Sequence, residues 1–238
     1  VKVGSAVLAG RDGLSRKVLY DLSDDIFDLW QRGIEVALVS SGAIASGMKK
    51  IGLPRKPDSI SHKQAVAAVG QCSLMLAWEK AFGRHGQKVA QILITRDDFN
   101  HRGRYLNARN TIFTLLSWKI IPIINENDTV VVEEIKFGDN DSLSAMVTDL
   151  LDAHFLVMLT NEDGLYDKDP RTNENANLIK VVGRASRETL KYAASEPGNL
   201  GTGGMESKIR AGQKASLGGV PVVIANGSKP GILKEIFK

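Results

Sequence analysis

Apolar positions along the chain alternate between two spacings. Residues 1–8 (VKVGSAVL) read as a strand, and Val18, Leu19, Leu22, Ile26, Leu29 and Trp30 then recur at helical spacing. Residues 34–39 form a short apolar run that stops at Ser40-Ser41-Gly42. A long helix is predicted over 61–82, a strand over 89–94 and a helix over 106–118. The β-branched run 120–124 is a further strand, broken by Pro122. Val130-Val131-Val132 and residues 135–137 suggest a small hairpin, followed by a helix at 142–151 and a buried strand at 155–159. Residues 217–225 read as a helix end, a Gly-Gly turn and a final strand. This alternation predicts an α/β fold, an open, mostly parallel sheet sandwiched between helices. With no internal repeat, low-complexity tract or Pro-rich linker, one domain over 1–238 is expected, its two lobes meeting near 125–155.

The polar and glycine-rich residues cluster just after the strand candidates, at 40–47, 125–129, 138–142, 160–171 and 198–208. Open α/β sheets bind ligands outside the carboxyl ends of their strands, so these clusters predict a ligand site at one sheet edge.

Composition narrows the class. The 238 residues are 43% hydrophobic and 24% charged, which excludes disorder. Thirty-one Lys and Arg against 27 Asp and Glu leave a net charge of +4, with a pI near 9.1. No basic block accompanies this excess, so nucleic acid is not indicated and a phosphorylated ligand fits equally well. Cys72 is the only cysteine, which excludes an intrachain disulfide and a Cys-rich metal site, and its apolar helix makes it a core candidate. The four histidines lack metal-ligand spacing, so no metal site is expected on the protein. No stretch reads as a membrane span or a secretory leader, and a soluble cytoplasmic protein is expected. The chain opens on Val rather than Met, implying that residues precede it.

Four clusters carry candidate chemistry. Gly201-Thr202-Gly203-Gly204-Met205-Glu206-Ser207-Lys208 places glycines before a helix, where backbone N–H groups can approach an anion and Lys208 can add its charge. The stretch matches neither the Walker A loop nor the dinucleotide-binding pattern, and a plain helix-capping turn is the alternative. Lys2 interrupts the first strand, where an ammonium is costly without a partner or substrate; an exposed strand start is the alternative, and the adjoining Gly4 and Ser5 favour a phosphate site. Small residues throughout Ser40–Gly47, including Ser41 and Gly42, suit a ligand lying against the backbone; a serine nucleophile is poorly supported, because no His is placed to serve it. Asn125-Glu126-Asn127-Asp128 and Asp139-Asn140-Asp141 combine carboxylates with amides. They suit a substrate ammonium or a Mg²⁺-bound nucleotide, with ordinary turn chemistry as the alternative.

The ordered motifs VKVGS, VSSGAIASG, INENDTV, FGDNDSLSAMV, LTNEDGLYDKDPR and GTGGMESK resemble the amino acid kinase family, and within it the glutamate 5-kinase branch, over essentially the whole chain. The resemblance implies transfer of the ATP γ-phosphoryl group to the side-chain carboxylate of L-glutamate, giving L-glutamyl 5-phosphate in the first step of proline biosynthesis. It implies catalytic roles for Lys2 and Lys208, with Asp141 holding both. It gives glutamate to Ser41, Gly42, Asn125, Asp128 and Asn140, with Asp128 on the α-ammonium. ATP goes to Lys2, Gly4, Ser5, Thr160, Asn161, Thr202, Gly203, Gly204, Met205, Glu206, Ser207 and Lys208, with Mg²⁺ as cofactor. The part before about residue 150 would bind mainly substrate and the part after it mainly ATP. The resemblance also implies feedback inhibition by proline, tuned around residues 133–137, and a homo-oligomer with the helix at 66–78 as candidate interface. The next proline-pathway enzyme is an implied partner, since an acyl phosphate is labile. Two departures stand out: Asn161 replaces an Asp frequent in the family, and the chain ends soon after its last strand, so a short form without the PUA domain is expected. Kinases of the same fold acting on acetylglutamate, aspartate, carbamate or UMP, or a nucleotide-binding sensor without turnover, are the competing readings.

Overall fold

The computed structural model describes residues 1–10, 13–131, 140–183 and 204–238. In chain order, β1 (Lys2–Val3) leads into α1 (Ser5–Leu8), the small pair β2 (Ala9–Gly10) and β3 (Gly13–Leu14), and α2 (Arg16–Gln31). Then come β4 (Leu38–Ser40), α3 (Ala43–Ile51), α4 (Ile60–Gly83), β5 (Val89–Ile94), α5 (Arg96–Asn100), α6 (Arg102–Ser117) and β6 (Ile121–Glu126). A 3₁₀ turn (Asp128–Val130), α7 (Asn140–Leu150), β7 (Leu156–Thr160), β8 (Leu165–Tyr166) and β9 (Leu178–Ile179) follow. The helix Met205–Leu217, β10 (Val222–Asn226) and a short helix, Ile232–Ile236, complete the described elements.

Six strands form one sheet in the order β10-β7-β1-β4-β6-β5. Every pairing in it is parallel. The inner strands β7, β1, β4 and β6 are buried on both faces, so their side chains alternate between two apolar layers. In β6, Ile121 and Ile123 pack beneath α2 and α4 with Leu22, Ile26, Trp78 and Phe82. Ile124 faces the opposite layer, with Ile112 and Leu116 of α6 and Val147 and Leu150 of α7. In β7, Val157 and Leu159 join the first layer, and Leu156 and Met158 pack on Ala211 and Ala215 of the helix Met205–Leu217.

Three sequence expectations are corrected. The strand expected over 1–8 ends at Val3, and Ser5–Leu8 is a helical turn whose Val7 and Leu8 are buried. A short apolar run fits a strand and a buried helix equally well, and the Gly4-Ser5 break decides between them. Pro122 does not interrupt its strand. It pairs with Ala90 of β5, one residue before the pairing with β4 begins at Ile123. Cys72 is exposed rather than in the core, because α4 is apolar on nearly all sides and its sequence does not mark the buried face. Of the expected hairpin, Val130 belongs to the 3₁₀ turn, while 132 and 135–137 lie outside the described residues.

The elements that shape the site are locked by close backbone approach. A Cβ on Gly70 of α4 would stand 1.8 Å from the Ala43 carbonyl oxygen and 2.4 Å from the Gly47 nitrogen of α3. A Cβ on Gly47 would stand 1.9 Å from the Val66 carbonyl oxygen. The Trp78 indole N–H donates to Ser40 Oγ at 2.9 Å, fixing α4 to the end of β4. Gly70→Ala is therefore expected to force the two helices apart and cost about 2–3 kcal/mol of stability, measured by urea denaturation. Because Ala43 also lines the site below, the substitution should weaken ligand binding as well.

Candidate active site

The parallel strands all present their carboxyl ends to one edge, and the residues that follow them line a cavity of about 320 Å³. Gly4 and Ser5 come after β1, Ser41 and Gly42 after β4, Asn125 and Glu126 from the end of β6, and Thr160 and Asn161 from the end of β7. Lys2, Asp128, Asn140, Asp141 and Lys208 complete the polar lining, with Lys56 beside them. Gly42 initiates α3 with φ of 113°, a conformation that a side chain would strain, and this turn carries the chain from β4 along the cavity wall.

Three buried charges meet in this cavity. Lys2 Nζ lies 2.5 Å from Asp141 Oδ1, and Lys208 Nζ lies 3.3 Å from Asp141 Oδ2. Lys2 is 4% exposed, Lys208 5% and Asp141 1%, so these are desolvated charges rather than a surface pair. Ser207 donates to Asp141 Oδ2 at 2.5 Å, and Lys208 also donates to the Gly204 carbonyl at 3.4 Å. Burial alone would raise the Asp141 pKa. The two ammonium groups, with hydrogen bonds from Lys2 and Ser207, outweigh burial and hold the carboxyl below its ordinary value. The arrangement keeps one carboxylate ionised between two cations, a net positive centre suited to an anion with its own charge to neutralise.

A line of amides runs into the same cavity. Asn140 donates to Ser41 Oγ and to Asn125 Oδ1, each at 2.9 Å. Asn125 donates to Gln71 Oε1 at 2.9 Å, and Gln71 donates to Gln91 Oε1 at 3.1 Å. The side chains of Ser41, Asn125 and Asn140 are thereby linked to one another, and Gln71, outside the cavity, anchors the line through Asn125. Asp128 differs: it is half-buried, and its carboxylate makes no hydrogen bond or ion pair with the described residues. Burial pushes this carboxyl up to about 6, and the charge of Lys56 opposes that rise.

Lys208 also lines a second cavity, of about 520 Å³, whose walls include Leu165, Ile179, Val182, Ile209, Val222 and Ile224. One lysine therefore lines both the cavity at the sheet edge and a second one walled by several aliphatic side chains.

Most residues singled out from the sequence converge: Lys2, Gly4, Ser5, Ser41, Gly42, Asn125, Asp128, Asn140, Asp141, Thr160, Asn161 and Lys208 all line the first cavity. Ser207 and Gly204 reach it through Asp141 and Lys208. Met205 instead packs with Leu165 and Ile209. Glu206 points outward and pairs with Arg210 at 2.7 Å. Thr202 and Gly203 lie outside the described residues, as do 133–137. Sequence reasoning missed Lys56 and Gln71. Lys56 sits between two prolines in a loop and Gln71 on an apolar helix, and neither context signals a ligand. Among the described residues no three His, Cys, Asp or Glu side chains are grouped to hold a metal, and no helix is long and apolar enough to cross a membrane.

A profile of the amino acid kinase family matches residues 1–226. The glutamate 5-kinase of Geobacter metallireducens is 52% identical over 238 residues, which is all of this chain and 64% of that protein. The glutamate 5-kinase of Meiothermus ruber is 51% identical over 238 residues, again all of this chain and 63% of that protein. The chain thus spans about 64% of the length of such curated relatives. Among solved structures, a UMP kinase from Bacillus anthracis superposes with a TM-score of 0.64 at 15% identity, covering 99% of this chain and 89% of that one. An isopentenyl phosphate kinase in complex with substrate superposes with a TM-score of 0.64 at 20% identity, covering 100% of this chain and 94% of that one. These two likenesses concern the fold.

Proposed function

Starting from a chain that belongs to the amino acid kinase family, we propose that it transfers the γ-phosphoryl group of ATP to the side-chain carboxylate of L-glutamate. The observation that carries this reading is the pair of buried lysines held on Asp141 within the cavity. The identity to glutamate 5-kinases supports glutamate as the acceptor.

The chemistry asks little of acid–base groups. A glutamate carboxyl has a pKa near ~4.3 and is ionised at neutral pH, so its oxygen can attack phosphorus without a general base. As the new O–P bond forms, the bond from phosphorus to the β,γ-bridging oxygen breaks and ADP leaves. The obstacle is repulsion between two anions, and Lys2 and Lys208 supply positive charge where they meet. Asp141 fixes both lysines before the substrates arrive, which lowers the reorganisation needed in the transition state. In this reading Asp128 takes the α-ammonium, while Ser41, Asn125 and Asn140, braced by the amide line, position the rest of glutamate. The second cavity, with aliphatic walls at Leu165, Ile179, Val222 and Ile224, would take the adenosine part of ATP, with its phosphates directed toward Lys208. Thr160, Asn161 and the residues after 201 would complete the nucleotide site. Mg²⁺ would be held through phosphate oxygens and water, since the described residues offer it no grouped donor set, and it would contribute charge neutralisation.

The proposal extends to a substrate-binding part before about residue 150 and a nucleotide-binding part after it. It further extends to a cytoplasmic homo-oligomer, to feedback inhibition by proline and to hand-over of the labile product to the next proline-pathway enzyme. ADP release measured with ATP, Mg²⁺ and each of L-glutamate, N-acetylglutamate, L-aspartate, carbamate and UMP tests the reading. Glutamate is expected to give the highest kcat/KM. A higher value for any other acceptor would move the substrate while keeping the chemistry.

A further inference from the structure

The charged side chains lining the first cavity are Lys2, Asp141 and Lys208 together with Lys56, Glu126 and Asp128. Lys2, Asp141 and Lys208 are bound to one another. Asp128 instead responds to Lys56. Lys56 lines the same cavity as Asp128, and it too makes no hydrogen bond or ion pair with the described residues. A half-buried carboxylate and an exposed ammonium therefore face one cavity, close enough to feel each other's charge but not joined in an ion pair. Their charges complement a zwitterionic α-amino acid head, an α-ammonium beside an α-carboxylate.

The backbone around Lys56 is well placed to hold such a contact. Residues 52–59 connect α3 to α4, the two helices locked together by Gly47 and Gly70. Gly52 closes α3 in the left-handed conformation, its N–H bonded to the Lys49 and Met48 carbonyls. Ser59 caps α4 by accepting from the His62 N–H. Pro54 and Pro57 restrict the backbone between these anchors. The loop thus spans fixed ends, which reduces the entropy lost when its lysine engages a ligand.

We propose that Lys56 is a specificity-determining residue that recognises the α-carboxylate of the amino acid acceptor beside the ammonium site at Asp128. This rests on the glutamate reading above and names the group that distinguishes a free α-amino acid from a derivative with a neutral α-carbonyl.

The test compares the unaltered chain with Lys56→Gln and Lys56→Arg, using L-glutamate and its α-amide, which keeps the α-ammonium and the side-chain carboxylate. Lys56→Gln should raise the KM for glutamate about tenfold, as expected for a lost charge-assisted contact, with kcat and the KM for ATP within about twofold. Its kcat/KM for the α-amide should stay near that of the unaltered chain, so the preference for glutamate collapses, and Lys56→Arg should restore most of it. An unchanged glutamate KM in Lys56→Gln, or an equal loss on glutamate and α-amide, overturns the proposal while the glutamate reading stands. Absence of glutamate turnover in the unaltered chain overturns both.

Discussion

Lys208→Ala is expected to lower kcat at least ~100-fold while changing the KM for glutamate only a few-fold. Lys208 is buried, lies 3.3 Å from Asp141 and lines both cavities, so its ammonium stands where the acceptor and the nucleotide would meet. Charge grows on the transferring group and its leaving oxygen only as the reaction proceeds. A fixed cation at that position therefore stabilises the transition state more than the bound substrates. Lys208→Arg should recover little, because a planar guanidinium is larger and places its charge differently from the compact ammonium in this buried position. Lys2→Ala should give a loss of similar size, and the double variant should lose far less than the product of the two, since both lysines act on one phosphoryl group. In Lys208→Ala, Asp141 keeps Lys2 at 2.5 Å and the hydrogen bond from Ser207, so the buried carboxylate stays paired and the fold should persist. Circular dichroism and a thermal melt alongside the kinetics separate lost chemistry from lost folding. A near-normal kcat in a folded Lys208→Ala chain would place the phosphoryl group elsewhere.

Asp128→Ala should raise the KM for glutamate about 100-fold and leave the KM for ATP within about twofold. In the proposed site its carboxylate is the counter-charge of the α-ammonium, beside Glu126, which lines the same cavity. The same residue sets a pH dependence. With its carboxyl pushed up to about 6, Asp128 is largely ionised at pH 7.5 and largely protonated at pH 5. Protonation removes the charge that attracts the ammonium, so the KM for glutamate should rise as pH falls through about 6. The substrate side chain, with a pKa near ~4.3, remains mostly ionised across that window. Asp128→Asn should therefore show a high KM that is nearly flat between pH 5 and 7.5. An unaltered chain whose glutamate KM stays constant from pH 7.5 to 5 would separate Asp128 from the ammonium.

These expectations draw on residues that are unevenly visible in the sequence. The sheet was legible because strands buried on both faces leave unbroken apolar runs, such as 120–124 and 155–159, and because polar clusters follow them. Lys2 stood out for the cost of burying an ammonium and Lys208 for its place behind a glycine-rich helix start, and Asp141, in a short acidic-amide cluster, proved to be their shared counter-ion. What failed to show depends on contacts between distant parts of the chain. Cys72 and Gln71 are neighbours on α4, one exposed and one buried, and helical periodicity is silent where apolar positions are spread around the whole helix. The interlock of Gly47 and Gly70 needs two helices in register before either glycine gains a meaning. Lys56 resembles any solvated loop lysine until the cavity places it with Asp128.

In the proposed reaction a carboxylate oxygen, rather than a hydroxyl or phosphate oxygen, receives the phosphoryl group. Trapping with hydroxylamine tests it most directly, because hydroxylamine captures an acyl phosphate as a hydroxamate. With ATP, Mg²⁺ and L-glutamate, hydroxamate should accumulate in step with ADP, and omitting glutamate should abolish both. Glutamate-dependent ADP release without hydroxamate, or no turnover in protein shown to bind ATP, would contradict transfer to a carboxylate.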